Sequence, residues 1–154
     1  MAERFIKTII VKTDARSAFN LWANFENFPH FMKYIERVEK VGPRTSRWHV
    51  KGPLGANVVW EAETTKMEPD TRIGWNTKDN AGLTTSGEVV FADLGNGSTQ
   101  LNVTFQYDAP AGVLGDVVGK IFANPEGRVE EDLQNFKEYA ESMRPAMGMG
   151  GVVH

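Results

Sequence analysis

The sequence contains no cysteine. That absence removes a disulfide framework, thiolate metal sites and a cysteine nucleophile together, and it suits the reducing cytoplasm. Long apolar runs are missing too. The most apolar stretch, residues 113–122, contains Asp116 and Lys120 and falls well short of the ~20 residues that cross a bilayer. No transmembrane segment is expected, which leaves room only for transient membrane contact. The opening residues MAERFIK are interrupted by charge at once and do not read as a signal peptide. A basic face is lacking as well. The net charge is −3 with no Lys/Arg cluster, so nucleic-acid binding lacks its usual electrostatic drive. His30, His49 and His154 have no metal-ligand spacing, and nothing in the sequence calls for a metal or a cofactor.

What is present fits one domain of α+β class. The chain has 154 residues, enough to bury ~70% of the unfolded surface without staples. Residues 4–12 are β-branched and read as a strand. Asp14 suits the N-cap of a helix over 15–22, and a second short helix or turn follows around Pro29. From residue 35 the period changes to two. Strands are predicted at 36–41, 45–52, 57–67, 72–77, 84–93 and 98–107. Glu68-Pro69-Asp70-Thr71 and Gly95-Asn96-Gly97 are among the turns between them. Successive strands on short turns make an antiparallel meander. Helical periodicity returns after Pro110, with Val113, Leu114, Val117, Val118, Ile121 and Phe122 as an apolar stripe. It restarts at Asn124-Pro125, and Val129, Leu133, Phe136, Ala140 and Met143 continue it. The domain is expected over 1–144, with 145–154 as a flexible tail. The run Glu130-Glu131-Asp132 reads as a solvated helix face.

Strand alternation sorts the faces. Trp48, Trp60 and Trp75 share the inner face with Val50, Ala62, Ile73, Phe91 and Phe105, whereas Arg47, His49, Lys51, Glu61 and Glu63 take the outer one. One helix cannot cover six or seven strands flatly, so the sheet must curl around it and enclose apolar space. The inner set contains no Asp, Glu, Lys, Arg or His, which favours binding over catalysis. Its polar members are Thr64, Thr77, Thr85, Tyr107 and the indole N–H groups. Gly115 to Ile121 only mimics a phosphate loop, being one residue short and lacking the Ser/Thr. Gly112, Gly115 and Gly119 read as a small-residue face that lets the helix approach the sheet or leaves room for a ligand. Residues 52–55 and 78–83 are candidate lids.

The run Leu21-Trp22-Ala23-Asn24-Phe25-Glu26-Asn27-Phe28-Pro29-His30-Phe31-Met32 resembles the helix-turn signature of the polyketide cyclase/dehydrase family, within the START-like (SRPBCC) superfamily. Residues 48–55, Ile73-Gly74-Trp75, 110–115 and 132–137 are similar to the same family in the same order, and the likeness spans about residues 4–143. The resemblance implies a helix-grip fold, in which a curved antiparallel sheet wraps a long C-terminal helix around a cavity. It also implies functions ranging over lipid and sterol carriage, coenzyme-Q binding, polyketide cyclisation and chaperone-type roles.

Trp48, Trp60, Trp75, Phe91, Phe105, Leu114, Val118 and Phe122 are therefore the expected wall of a hydrophobic ligand site. Trp22, Phe28 and Phe31 would close one end, and Tyr107 would offer a hydroxyl. The alternatives are a cyclase or dehydratase, with His30 or Asp108 moving the proton, and a protein-interaction module on the outer face. Ligand identity and oligomeric state are not written in the sequence.

Overall fold

A computed structural model describes residues 3–51, 57–78, 84–108 and 125–148. The helical stripe expected at 113–122, with Leu114, Val118 and Phe122, lies outside the described residues. So do the candidate lid at 52–55 and all but the first residue of the one at 78–83.

Seven strands form one antiparallel sheet in the order β1-β7-β6-β5-β4-β3-β2. They are β1 (Glu3–Val11), β2 (Ile35–Lys40), β3 (Thr45–Lys51), β4 (Asn57–Glu68), β5 (Arg72–Lys78), β6 (Thr84–Asp93) and β7 (Thr99–Asp108). β2 to β7 are a meander, and β1 returns to pair with β7. Between β1 and β2 lie α1 (Ala15–Ala23) and a 3₁₀ helix (Phe25–His30). The long helix α2 (Pro125–Gly148) follows the sheet. It continues past Pro145, so the expected start of the tail at 145 falls inside the helix.

Local chemistry explains the boundaries. The Asp14 side chain accepts from the Ser17 backbone N–H at 2.9 Å and caps α1. Asp70 takes φ 63° in the turn between β4 and β5, a conformation that Asp tolerates better than most residues. Gly95 and Gly97 take positive φ in the turn between β6 and β7. Register shifts between Ile35 and Arg37 in β2, and between Thr64 and Lys66 in β4, are bulges that bend and twist a sheet.

The sheet's inner face, α1 and α2 share one core. Ile73, Val89, Phe91, Leu101 and Val103 meet Ala18, Phe19 and Trp22 from α1 and Leu133, Phe136 and Ala140 from α2. Polar links fix where α2 lies. Lys137 Nζ donates to the Ile10 carbonyl at 3.1 Å, and the Lys12 N–H donates to Glu141 at 2.8 Å. Both use backbone of the edge strand β1 and its end, groups that would otherwise invite another strand. At the other side Asn135 Nδ2 donates to the Phe31 carbonyl at 3.2 Å, and Lys33 pairs with Glu131 at 3.1 Å. The helix is thus held to the edge strand on one side and to the segment before β2 on the other.

Candidate functional site

Between the sheet, the 3₁₀ helix and α2 lies a cavity of about 160 Å³. The strands contribute Trp48, Val50, Trp60, Ala62, Trp75, Thr85, Val103 and Phe105. α1 and the segment after it contribute Trp22, Phe25, Phe28, Met32 and Tyr34, the start of β2 contributes Ile35, and α2 contributes Arg128, Val129, Asp132 and Leu133. The chain has four tryptophans, and every one of them lines this space.

Aromatic packing sets the walls. Phe28 lies 5.2 Å from Trp48 and 5.8 Å from Trp22, centroid to centroid. Phe5 stacks on Phe105, its cross-strand partner, at 5.6 Å. Trp48 Nε1 donates to Ser46 Oγ at 2.9 Å, so its N–H is already satisfied. The Thr77 hydroxyl accepts from the Thr85 backbone N–H at 2.8 Å.

The predicted wall residues separate into groups. Trp22, Phe28, Trp48, Trp60, Trp75 and Phe105 line the cavity. Phe31 and Phe91 do not. They are buried behind the wall, where Phe31 meets Phe136 at 5.0 Å and Phe91 meets Trp22 at 6.4 Å. Tyr107 and Asp108 lie on β7, but their side chains are outside the described residues, as are Leu114, Val118 and Phe122 altogether. His30 is exposed at the end of the 3₁₀ helix, stacked on Tyr139 at 5.4 Å, and does not line the cavity.

Two findings correct the sequence reading. Its inner set held no charged group, yet Asp132 and Arg128 line the cavity. The Glu130-Glu131-Asp132 run is not uniformly solvated: Glu130 and Glu131 are exposed and Asp132 is turned inward. Helical geometry explains why. At 3.6 residues per turn, Asp132 sits about 60° from Val129 around the axis, on the shoulder of the apolar stripe. A helical projection carries that signal, and a charge run conceals it. Phe25, Met32, Tyr34 and Ile35 were missed for another reason. Phe25, Met32 and Tyr34 belong to a turn-rich segment with no period to assign a face, and Ile35 opens β2 beside its register shift.

Asp132 is electrostatically unusual. Burial pushes its carboxyl up to about 7, the neighbouring Glu131 adds to the rise, and Arg128 and Lys33 oppose it. Its Oδ1 is buried without a hydrogen-bond partner among the described residues. An unsatisfied buried polar group costs ~1–3 kcal/mol, so its presence needs a reason. One turn earlier the Arg128 guanidinium lies over the Tyr34 ring, 4.0 Å from its centroid.

Several outer-face charges are paired with one another. His49 contacts Glu39 at 2.9 Å, Arg47 meets Glu61 at 3.1 Å, and Lys66 meets Glu88 at 3.2 Å. The His49 hydrogen bond helps hold the Glu39 carboxyl below its usual range. Among the described residues no cluster of His, Asp or Glu could hold a metal ion, and no helix is long and apolar enough to cross a membrane.

Residues 11–134 match a family described as polyketide cyclase/dehydrase and lipid transport. An uncharacterized 17.2 kDa protein from the melC2-rnhH intergenic region of Streptomyces lincolnensis is 31% identical over 137 residues, 88% of this chain and 87% of that one. The crystal structure of DR_A0006 from Deinococcus radiodurans is similar at TM-score 0.68 and 28% identity, over 88% of this chain and 95% of the other. The ZhuI aromatase/cyclase from Streptomyces sp. R1128 superimposes at TM-score 0.77 and 23% identity, over 98% and 99% of the two chains. A START superfamily protein from Mycobacterium smegmatis does so at 0.72 and 18%, over 91% and 98%. At those last two identities the likeness is one of fold.

Proposed function

The chain belongs to the polyketide cyclase/dehydrase and lipid transport family and has a START-like helix-grip fold, and from that premise we propose that it binds a small, ring-bearing hydrophobic molecule in the cavity beside α2. The observation that carries this reading is the lining. Four tryptophans and three phenylalanines face one apolar space. Aromatic walls of this kind bury the faces of a flat ligand and offer few groups for chemistry. A dry apolar cavity of ~150 Å³ takes a benzene-sized molecule, so a space of about 160 Å³ has room for at least one ring with short substituents.

Turnover of the cyclase or dehydratase kind needs an acid or base at the ligand. Asp132 is one such group, which keeps that second reading open. Of the sequence candidates, His30 stands outside the cavity, and the described lining adds only Arg128 and Tyr34 as further titratable groups. Binding is therefore the leading reading.

Thermal melts of wild type and Ala62→Leu against single-ring and two-ring hydrophobes test it. Ala62 is buried at the cavity wall, and a larger side chain there occupies the space a ring needs. A ligand at 100 times its dissociation constant stabilises by ~2.7 kcal/mol, which raises the melting temperature by ~5–10 °C for a domain of this size. The rise is expected in wild type and lost in the variant. Equal shifts in both, or none in either, count against the cavity as the binding site.

A further inference from the structure

We propose that Asp132 sets the ligand specificity of this cavity, its unpartnered carboxyl oxygen selecting aromatic molecules that carry a hydroxyl donor. This deepens the binding reading and rests on it. The walls contributed by the strands are almost entirely apolar, with Thr85 as the polar exception. They would accept any hydrocarbon of suitable size. Asp132 is the feature that discriminates, because Oδ1 is buried and lacks a hydrogen-bond partner among the described residues. An ionised carboxylate can only accept, so the complementary ligand group is a donor. A phenol suits best. Its ring matches the indole walls, and an acidic hydroxyl makes a short, charge-assisted hydrogen bond to a carboxylate.

The charged and titratable groups around Asp132 fit this assignment. On its own helix are Arg128 and Glu131, and from the segment before β2 come Lys33 and Tyr34. The described strand, 3₁₀-helix and α1 residues lining the cavity bring none. Arg128 and Lys33 favour the anionic form, while burial and Glu131 oppose it. Without ligand the carboxyl stands near the balance, at about 7. A bound hydroxyl donor tips it to the anion, so phenol binding strengthens as pH rises through that value.

The experiment is calorimetric titration of the full-length protein with 4-ethylphenol and with its methyl ether, 4-ethylanisole, at pH 6 and pH 8. The two probes share a ring and differ in the donor. For a midpoint at about 7, the phenol's affinity is expected to rise by up to about tenfold across that interval. The ether is expected to bind more weakly and without pH dependence. In Asp132→Asn the phenol's pH dependence should vanish and its preference over the ether should shrink. A pH effect arising away from the donor would move both probes alike, so the ether is the control. Equal, pH-independent binding of both probes would overturn the specificity role and leave the cavity reading intact. A phenol affinity that falls with pH would overturn it too, assigning the protonated acid as the donor. No binding of either probe would sink the cavity reading and this inference with it. The wild-type comparison decides the matter even if the Asn variant fails to fold.

Discussion

Trp75 lies across Gly87, its cross-strand partner between β5 and β6, so closely that a Cβ on Gly87 would overlap the indole ring. Glycine at this position lets a large ring lie along the inner face and form part of the cavity wall. Gly87→Ala should force the ring away at a cost of ~1–3 kcal/mol. Denaturant melts would measure the loss, and the Trp75 indole resonance should shift with it.

Asp132 should make the ligand-free protein less stable as pH rises. Its folded value of about 7 lies above the ordinary carboxyl value of 3.8. Between those values the native state holds a proton that the unfolded chain has released, so stability falls with increasing pH across that window. The full span corresponds to on the order of 4 kcal/mol at 1.36 kcal/mol per pKa unit. Asp132→Asn should therefore stabilise the protein more at pH 8 than at pH 4. Denaturant midpoints at the two values check this, and equal effects would refute the burial of that carboxyl.

Asp14 should behave in the opposite sense. Its hydrogen bonds with Ser17 hold its carboxyl below the usual range. Its stabilisation is present above the unfolded value and is lost as pH falls through the folded one. Asp14→Ala should cost ~1 kcal/mol at neutral pH through loss of the α1 cap. Thermal melts read the effect, which should shrink in acid.

Phe136 and Ile6 should mark the contrast between core and surface. Phe136 is fully buried and packs on Trp22 at 5.1 Å and Phe31 at 5.0 Å. Phe136→Ala should destabilise by ~3–5 kcal/mol. Ile6 is 56% exposed on β1, and Ile6→Ser should change stability by less than ~0.5 kcal/mol. Urea titrations of both variants would measure the difference.

Much of the fold was legible because its signals are local. Turn residues such as Pro69-Asp70 and Gly95-Asn96-Gly97 mark where strands end, and the seven observed strands begin and end within one residue of expectation. The Asp14 cap was legible for the same reason. Alternation brought Trp48, Trp60, Trp75 and Phe105 to the right face. It could not say which inner-face residues border open space and which are covered by a neighbour. Phe91 has the correct face but is covered by Phe19 and Trp22. Phe31 likewise turns towards Phe136 instead of the cavity. Those outcomes depend on how α1 and α2 settle on a curved sheet, which no periodicity encodes. Asp132 was hidden by its acidic neighbours, although its angle around α2 was readable. The cyclase-type candidates His30 and Asp108 came from proximity to a presumed rim, and for His30 the geometry does not support that placement.

The central claim is that one ring-bearing hydrophobe occupies the space shared by all four tryptophans. The most direct measurement is the indole N–H region of a ¹⁵N-correlated spectrum during titration with 4-ethylphenol. Trp22, Trp48, Trp60 and Trp75 border one cavity, so their four signals should move together and saturate at one ligand per chain. Signals that stay fixed while the ligand binds, or that move one at a time without saturation, would contradict the account.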